Sequence, residues 1–200
     1  MAFAIRPYHP SDFYSLYRIC LLTGDNGNDG TALYRDPEII GHYYAAPYAV
    51  LEPELAFVLT LDDVPCGYVI GTANSATFRE RCEVEWFPPL RLRYPMPAED
   101  DDSLDAMMAR LIHRGHTAND ELNALYPAHM HIDLLPVAQG QRLGRKMMDT
   151  LLAQMRRLGV PGIHVGAGRK NPRAIRFYKS YGLDVLHESE GGVLYGMILR

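Results

Sequence analysis

Apolar positions change period several times along the chain, and the clearest changes fall between residues 129 and 183. Residues 130–136 are a short apolar run with β-branched content, which reads as a strand. Leu143, Met147, Leu151, Met155 and Leu158 then recur every three or four positions, the stripe of an amphipathic helix over 142–158. Gly159 supplies a helix stop, and Val160-Pro161-Gly162 turns the chain into a second strand, 163–167. Asn171 before Pro172 is an N-cap followed by proline at the first helical position, opening a helix that runs to Tyr181. The segment is a βαβ unit, with a phosphate-sized anion site expected where the first strand meets its helix.

Earlier in the chain, residues 3–7 read as a strand and Ser11 as the cap of a helix carrying Phe13, Leu16, Tyr17 and Cys20 on one side. Residues 24–30, GDNGNDG, are a loop by composition. Asp25, Asp29, Gly30 and Asp36 echo a calcium loop, but Gly27 and Asp36 stand where two of its ligands, including the bidentate Glu, belong. Asp36-Pro37 opens a second helix, and Pro47 marks the end of that region. Ala56–Leu61 and 66–73 are strands joined by DDVP as a hairpin, with Gly67 and Gly71 signalling close packing or a bulge.

Residues 75–127 carry Trp86, Phe87, Pro88, Pro89, Tyr94 and Pro95, then an acidic run over 99–102. Ser103 caps a helix bearing Leu104, Met107, Met108, Leu111 and Ile112, and His113-x-x-His116 at its end is expected on the surface. Proline-spaced aromatics either line a pocket or pad a core edge. Residues 184–188 and 193–199, around Gly191-Gly192, form a last hairpin.

Composition narrows the function classes. Two hundred residues at 48% hydrophobic bury one core, and the expectation is a single domain over 1–200. A net charge of −4 and pI near 6.0 argue against nucleic acid as the main partner. Cys20, Cys66 and Cys82 lack metal or redox spacing and read as free thiols in a reducing compartment. No apolar leader and no long apolar run stands in the chain, so a soluble, cytoplasmic protein is expected, with no membrane partner. Arg142, Arg145 and Lys146 crowd the first turn of the 142–158 helix, where the dipole disfavours cations. That points to an anion, or else to a solvated basic face.

The run Leu134-x-Pro136-x-x-Gln139-Gly140-x-x-x-Gly144 resembles the acetyl-coenzyme-A pyrophosphate loop of the GNAT acetyltransferases. Asn171-Pro172-x-Ala174-x-x-x-Tyr178-x-x-x-Gly182 resembles that family's last helix. Arg142 stands where the family usually has the first of two closely spaced glycines; it keeps the backbone N–H and adds a guanidinium. Ile5 to Asp12 (Ile-Arg-Pro-Tyr-x-Pro-x-Asp), Leu16 to Cys20, Phe57-Val58-Leu59, Cys66-Gly67-Tyr68, Gly71-Thr72 and Trp86 with Pro88 are similar to one branch. That branch is the acetyltransferase-like C-terminal domain of O-GlcNAcase with its stand-alone bacterial relatives.

The resemblance implies an α/β (α+β, GNAT-like) fold: a central mixed, mostly antiparallel twisted sheet of about six to seven strands flanked by helices. Residues 75–127 would be an insert between the third and fourth strands. It implies acetyl-CoA as cofactor, held by Leu134, Leu135, Pro136, Val137, Gln139, Gly140, Gln141, Arg142, Leu143, Gly144, Arg145, Lys146, Asn171 and Tyr178. The backbone of Leu134 and Leu135 would pair with the pantetheine amides like an added strand. Tyr178 would protonate the leaving sulfur, and the early helix–loop–helix would admit an amine acceptor, a small molecule or peptide. A catalytically silent module that binds acetyl-CoA or a protein is the alternative. A dinucleotide site is excluded, because Ala167-Gly168-Arg169 stands where the second strand would end in an acid.

For the base, His129, His131 and Asp133 alternate along their strand and share one face. Asp133 is the choice, since a carboxylate on an apolar strand is costly unless it works or is paired. His131 or His129 would relay or substitute for it. The same spacing could ligate zinc, but adjacent positions on one strand surround a metal poorly, and no metal is expected.

Overall fold

The computed structural model describes residues 2–199. Its strands are β1 (Phe3–Pro7), β2 (Ala56–Leu61), β3 (Val64–Thr72), β4 (Ala128–Leu134), β5 (Gly162–Gly168), β6 (Asp184–Glu188) and β7 (Gly192–Ile198). They form one sheet in the order β1-β2-β3-β4-β5-β7-β6. β4 and β5 are parallel, and every other neighbouring pair is antiparallel. The β2–β3 turn holds Asp62 and Asp63 at φ 48° and 65°, the two left-handed residues that match a tight hairpin to strand twist.

Helices cover both faces. α1 (Phe13–Leu22), α2 (Ile39–Tyr44), α3 (Ala46–Leu51), α4 (Ser75–Arg81), α5 (Phe87–Arg93), α6 (Leu104–Arg114) and α7 (Asp120–Leu125) precede β4. α8 (Leu143–Arg157) makes the crossover from β4 to β5, and α9 (Pro172–Tyr181) follows β5. Strand alternation divides the core into two layers. Phe57, Leu59, Val69 and Met130 face Met147, Leu151 and Met155 of α8. Ala56, Tyr68 and Ile70 face the other way, against Leu16, Ile19, Tyr48, Phe78, Phe87 and Ile112.

Several local expectations change. Ser11 does not cap α1; it lies in a 3-10 turn, Pro10–Asp12, closed by a capping box between His9 and Asp12. Asp12 is also clamped by Arg6 at 2.6 and 2.8 Å, which fixes the entry to α1. Pro47 begins α3 instead of ending its region, because its missing N–H is harmless in a first turn. The insert is helical throughout its first half: α4 runs through a π-helical turn (Cys82–Trp86) into α5. Its aromatics pad the core, with Phe87 buried against Tyr43 and the Trp86 indole donating to the His42 carbonyl at 2.7 Å. His116 is not on the surface. It follows Gly115 at φ 71°, where the chain doubles back, and packs among Tyr43, Phe78 and Phe87. Leu158 falls just past the end of α8 and is half exposed, while Met148 and Leu152 widen the buried stripe.

Candidate active site

The sheet comes apart at its centre. β4 and β5 pair only at Ala128↔Ile163 and His129↔His164, although both strands continue. On its other side β4 stays paired with β3 through Gly67↔Leu134. The Leu135 amide donates to the Cys66 carbonyl at 2.9 Å, so by two-residue alternation the backbone groups of Ile132 and Leu134 point to the open side. The gap opens into a cavity of about 400 Å³, within the range of small-molecule sites.

The loop after β4 closes one end of this cavity. Pro136–Ala138 make a 3-10 turn, and Gln139 reaches back to donate to the Leu134 carbonyl at 2.7 Å. Gly140 and Arg142 are left-handed, at φ 74° and 60°. The first helical bond of α8 runs from the Lys146 amide to the Arg142 carbonyl, so the Leu143, Gly144 and Arg145 amides belong to the unpaired start of the helix. Gly144 packs closely: a Cβ there would stand 3.3 Å from the side chains of both Leu134 and Phe177. Arg142, Arg145 and Arg173 add three cations to the cavity wall, and helix amides with guanidinium groups suit a diphosphate. Asn171 caps α9 by accepting from the Ala174 amide at 3.0 Å, and Gly27 of the 24–30 loop packs directly beneath its side chain.

Asp133 sits on the floor. Tyr68, its register partner on β3, donates to the carboxylate at 2.5 Å, while the Thr23 hydroxyl donates to the Ile19 carbonyl at 2.8 Å. Burial pushes the Asp133 carboxyl up from its ordinary value, and the bond from Tyr68 only partly offsets the effect. Asp133 and Thr23 also wall a second cavity of about 340 Å³ on the other face of the strand. Its remaining wall comes from α1, α2, the insert helix α6, His131 of β4, and Gly24 and Tyr34 between α1 and α2. Tyr178 reaches the first cavity from α9; its ring is buried, and its hydroxyl makes no hydrogen bond among the described residues. Burial and the nearby Asp133 charge push its phenol up, so it stays protonated.

The two histidines of the strand differ from Asp133. Tyr48 bridges them, 2.8 Å from His129 Nε2 and 3.1 Å from His131 Nε2, and Ser75 holds His129 Nδ1 at 2.7 Å. Burial lowers both rings, His131 to about 4. His131 touches only the second cavity, and His129 lines neither. No group of three or more His, Cys, Asp or Glu side chains among the described residues could hold a metal ion. No helix among them is long and apolar enough to cross a membrane.

A family model described as Acetyltransferase (GNAT) family matches residues 6–183. The chain belongs to the GNAT family. The crystal structure of SsHAT superposes with TM-score 0.92 at 35% identity, covering 100% of both chains. Protein O-GlcNAcase of Rattus norvegicus is 26% identical over 191 residues, which are 94% of this chain and 21% of that protein. The chain thus spans about a fifth of the curated relatives it matches, the Mus musculus enzyme included. The structure of yncA from Salmonella typhimurium with its cofactor acetyl-CoA shares the fold at TM-score 0.59 and 16% identity, over 100% of this chain and 95% of that one. GNAT proteins are acetyltransferases that draw on acetyl-CoA.

Within this GNAT frame, the first cavity gathers Asp133, Leu134, Gln139, Gly140, Arg142, Leu143, Gly144, Arg145, Asn171 and Tyr178. Pro136, Val137, Gln141 and Lys146 do not line it, and Lys146 faces a separate hollow beside β1. Leu135 is outside too: its amide is bonded to Cys66 and its carbonyl to the Ala138 amide, so it has no backbone group free to pair with a ligand. Arg145 is partly engaged, donating to the Ser180 carbonyl at 2.9 Å and lying over the Tyr181 ring. Sequence reasoning missed Thr23, Gly27, Ile132, Arg173 and Phe177. Arg173 carried a readable signal, since it adds a cation at the start of a capped helix, and it bonds Gln139 directly.

Proposed function

We propose that this chain transfers the acetyl group of acetyl-CoA to an amine, with Asp133 as base and Tyr178 as acid. The cofactor supplies an acetyl thioester. Arg142, Arg145, Arg173 and the amides opening α8 would hold its diphosphate, and Ile132 and Leu134 would pair with its arm as an added strand. The observation that carries the reading is that Asp133 borders both cavities while Tyr178 borders the first. An ammonium arriving through the second cavity would give one proton to the carboxylate, and the neutral amine would then form the new C–N bond and release its second proton to solvent. Tyr178 then gives its proton to the departing sulfur, and solvent restores both groups.

The choice among the three strand candidates follows from chemistry. A carboxylate raised by burial is a stronger base than usual, whereas a histidine lowered to about 4 is a weaker one. His129 has both ring nitrogens engaged and is out of reach.

The test pairs calorimetry with acetyl-CoA and free-thiol release across an amine panel. Micromolar binding and thiol release that collapses in Asp133→Asn and Tyr178→Phe are expected. Binding without release from any amine would make the chain a silent acetyl-CoA module. Unchanged release in both variants would remove the two role assignments.

A further inference from the structure

The second cavity restricts what the acceptor can be. It is walled by Tyr34, Ile40, Tyr44, Met107, Met108 and Leu111, and Asp133 is the one charged side chain in its lining. Burial pushes the Tyr44 hydroxyl up to about 12, so that wall is neutral at any working pH. Asp105 lies beyond the lining with both carboxylate oxygens engaged, by the Arg35 and Asp36 amides at 3.0 and 2.9 Å. Burial raises the Tyr34 phenol, with smaller contributions from the Cys20, Asp105 and Asp25 charges, so two carboxylates lie near this cavity wall. A cation is therefore drawn in, but one carboxylate awaits it inside.

We infer that the acceptor is a compact primary amine with a single positive charge on a ring-sized apolar body, the arylalkylamine class. This rests on the transferase reading for its chemistry but not for its selectivity. A polyamine or aminoglycoside would bring further ammonium groups against a lining that offers no second carboxylate. A peptide would need main-chain contacts at the rim, whereas α6 offers Leu104 and Met107 side chains there. An aromatic body instead packs on the Met, Leu and Tyr side chains of the cavity, and its ammonium approaches the Tyr faces on the way to Asp133.

The experiment uses protein saturated with coenzyme A and measures binding of phenethylamine, spermidine and N-acetyl-lysinamide by calorimetry. Phenethylamine should bind at least about tenfold tighter than either of the others. Met107→Glu places a second carboxylate at a half-exposed rim position, and should strengthen spermidine binding about tenfold with coenzyme A affinity unchanged. Spermidine or the lysine amide binding as tightly as phenethylamine overturns the inference, as does a silent Met107→Glu. Selective phenethylamine binding with no acetylated product sinks the transferase reading and leaves the inference standing. Faster acetylation of spermidine does the reverse.

Discussion

The two cavities on either side of β4 are electrical opposites. One carries three arginines and the unpaired amides of a helix start; the other is lined by neutral Tyr, Met, Leu and Ile side chains around a single carboxylate. They meet at Asp133 and Thr23 and nowhere else in their linings. The difference assigns them different guests, an anion on the α8 side and a cation on the α6 side. It also explains why a buried carboxylate is tolerated at their boundary. Asp133 accepts from the Tyr68 hydroxyl, which stabilises its charge without neutralising it, leaving a base between donor and acceptor.

That division can be broken at the boundary or on either side. Asp133→Asn should lower thiol release by roughly a thousandfold while leaving coenzyme A affinity within about threefold, checked by steady-state rates and calorimetry. In the unaltered protein the same group must be ionised to act. Because its carboxyl is raised, the rate should fall off at a pH above the ordinary carboxylate range as the solution is acidified. Acid should also weaken the α6 side selectively. His42, His116 and His131 belong to that layer, and burial lowers each to about 4. A histidine depressed in the folded state contributes stability above its unfolded value near 6.5 and loses it as pH falls toward the folded value. Urea midpoints should therefore drop between pH 6.5 and 4; a flat profile would mean these rings are hydrated.

Tyr178→Phe touches the α8 side alone and should cost about a hundredfold in release with no change in stability beyond about 1 kcal/mol. The smallest effect is expected at Arg142. Its left-handed backbone costs roughly 1 kcal/mol that glycine would not incur. Arg142→Gly should therefore raise the unfolding midpoint slightly while weakening coenzyme A a few-fold through the lost guanidinium, a split readable by thermal shift and calorimetry side by side.

The α8 side was legible in the sequence because its parts are contiguous. Leu134 to Gly144 and Asn171 to Gly182 each span a single turn and helix start, where spacing fixes geometry. The α6 side was not, since Cys20, Tyr34, Tyr44, Met107 and Asp133 are brought together only by the fold. Two further details were hidden for local reasons. An arginine by itself gives no sign of a positive φ, though Arg142 stands at a usual glycine position, and His116 reads as a surface residue until the turn at Gly115 is known.

The central sheet is two smaller sheets joined by a short weld, the pairs Ala128↔Ile163 and His129↔His164. Beyond it the Ile132 and Leu134 amides face open space, so in water they should trade hydrogen for deuterium quickly, unlike those of β7, whose whole length is paired with β5. A guest lying along that edge would act as the missing rung, slowing the exchange and fastening the β5-β7-β6 half to the rest of the molecule.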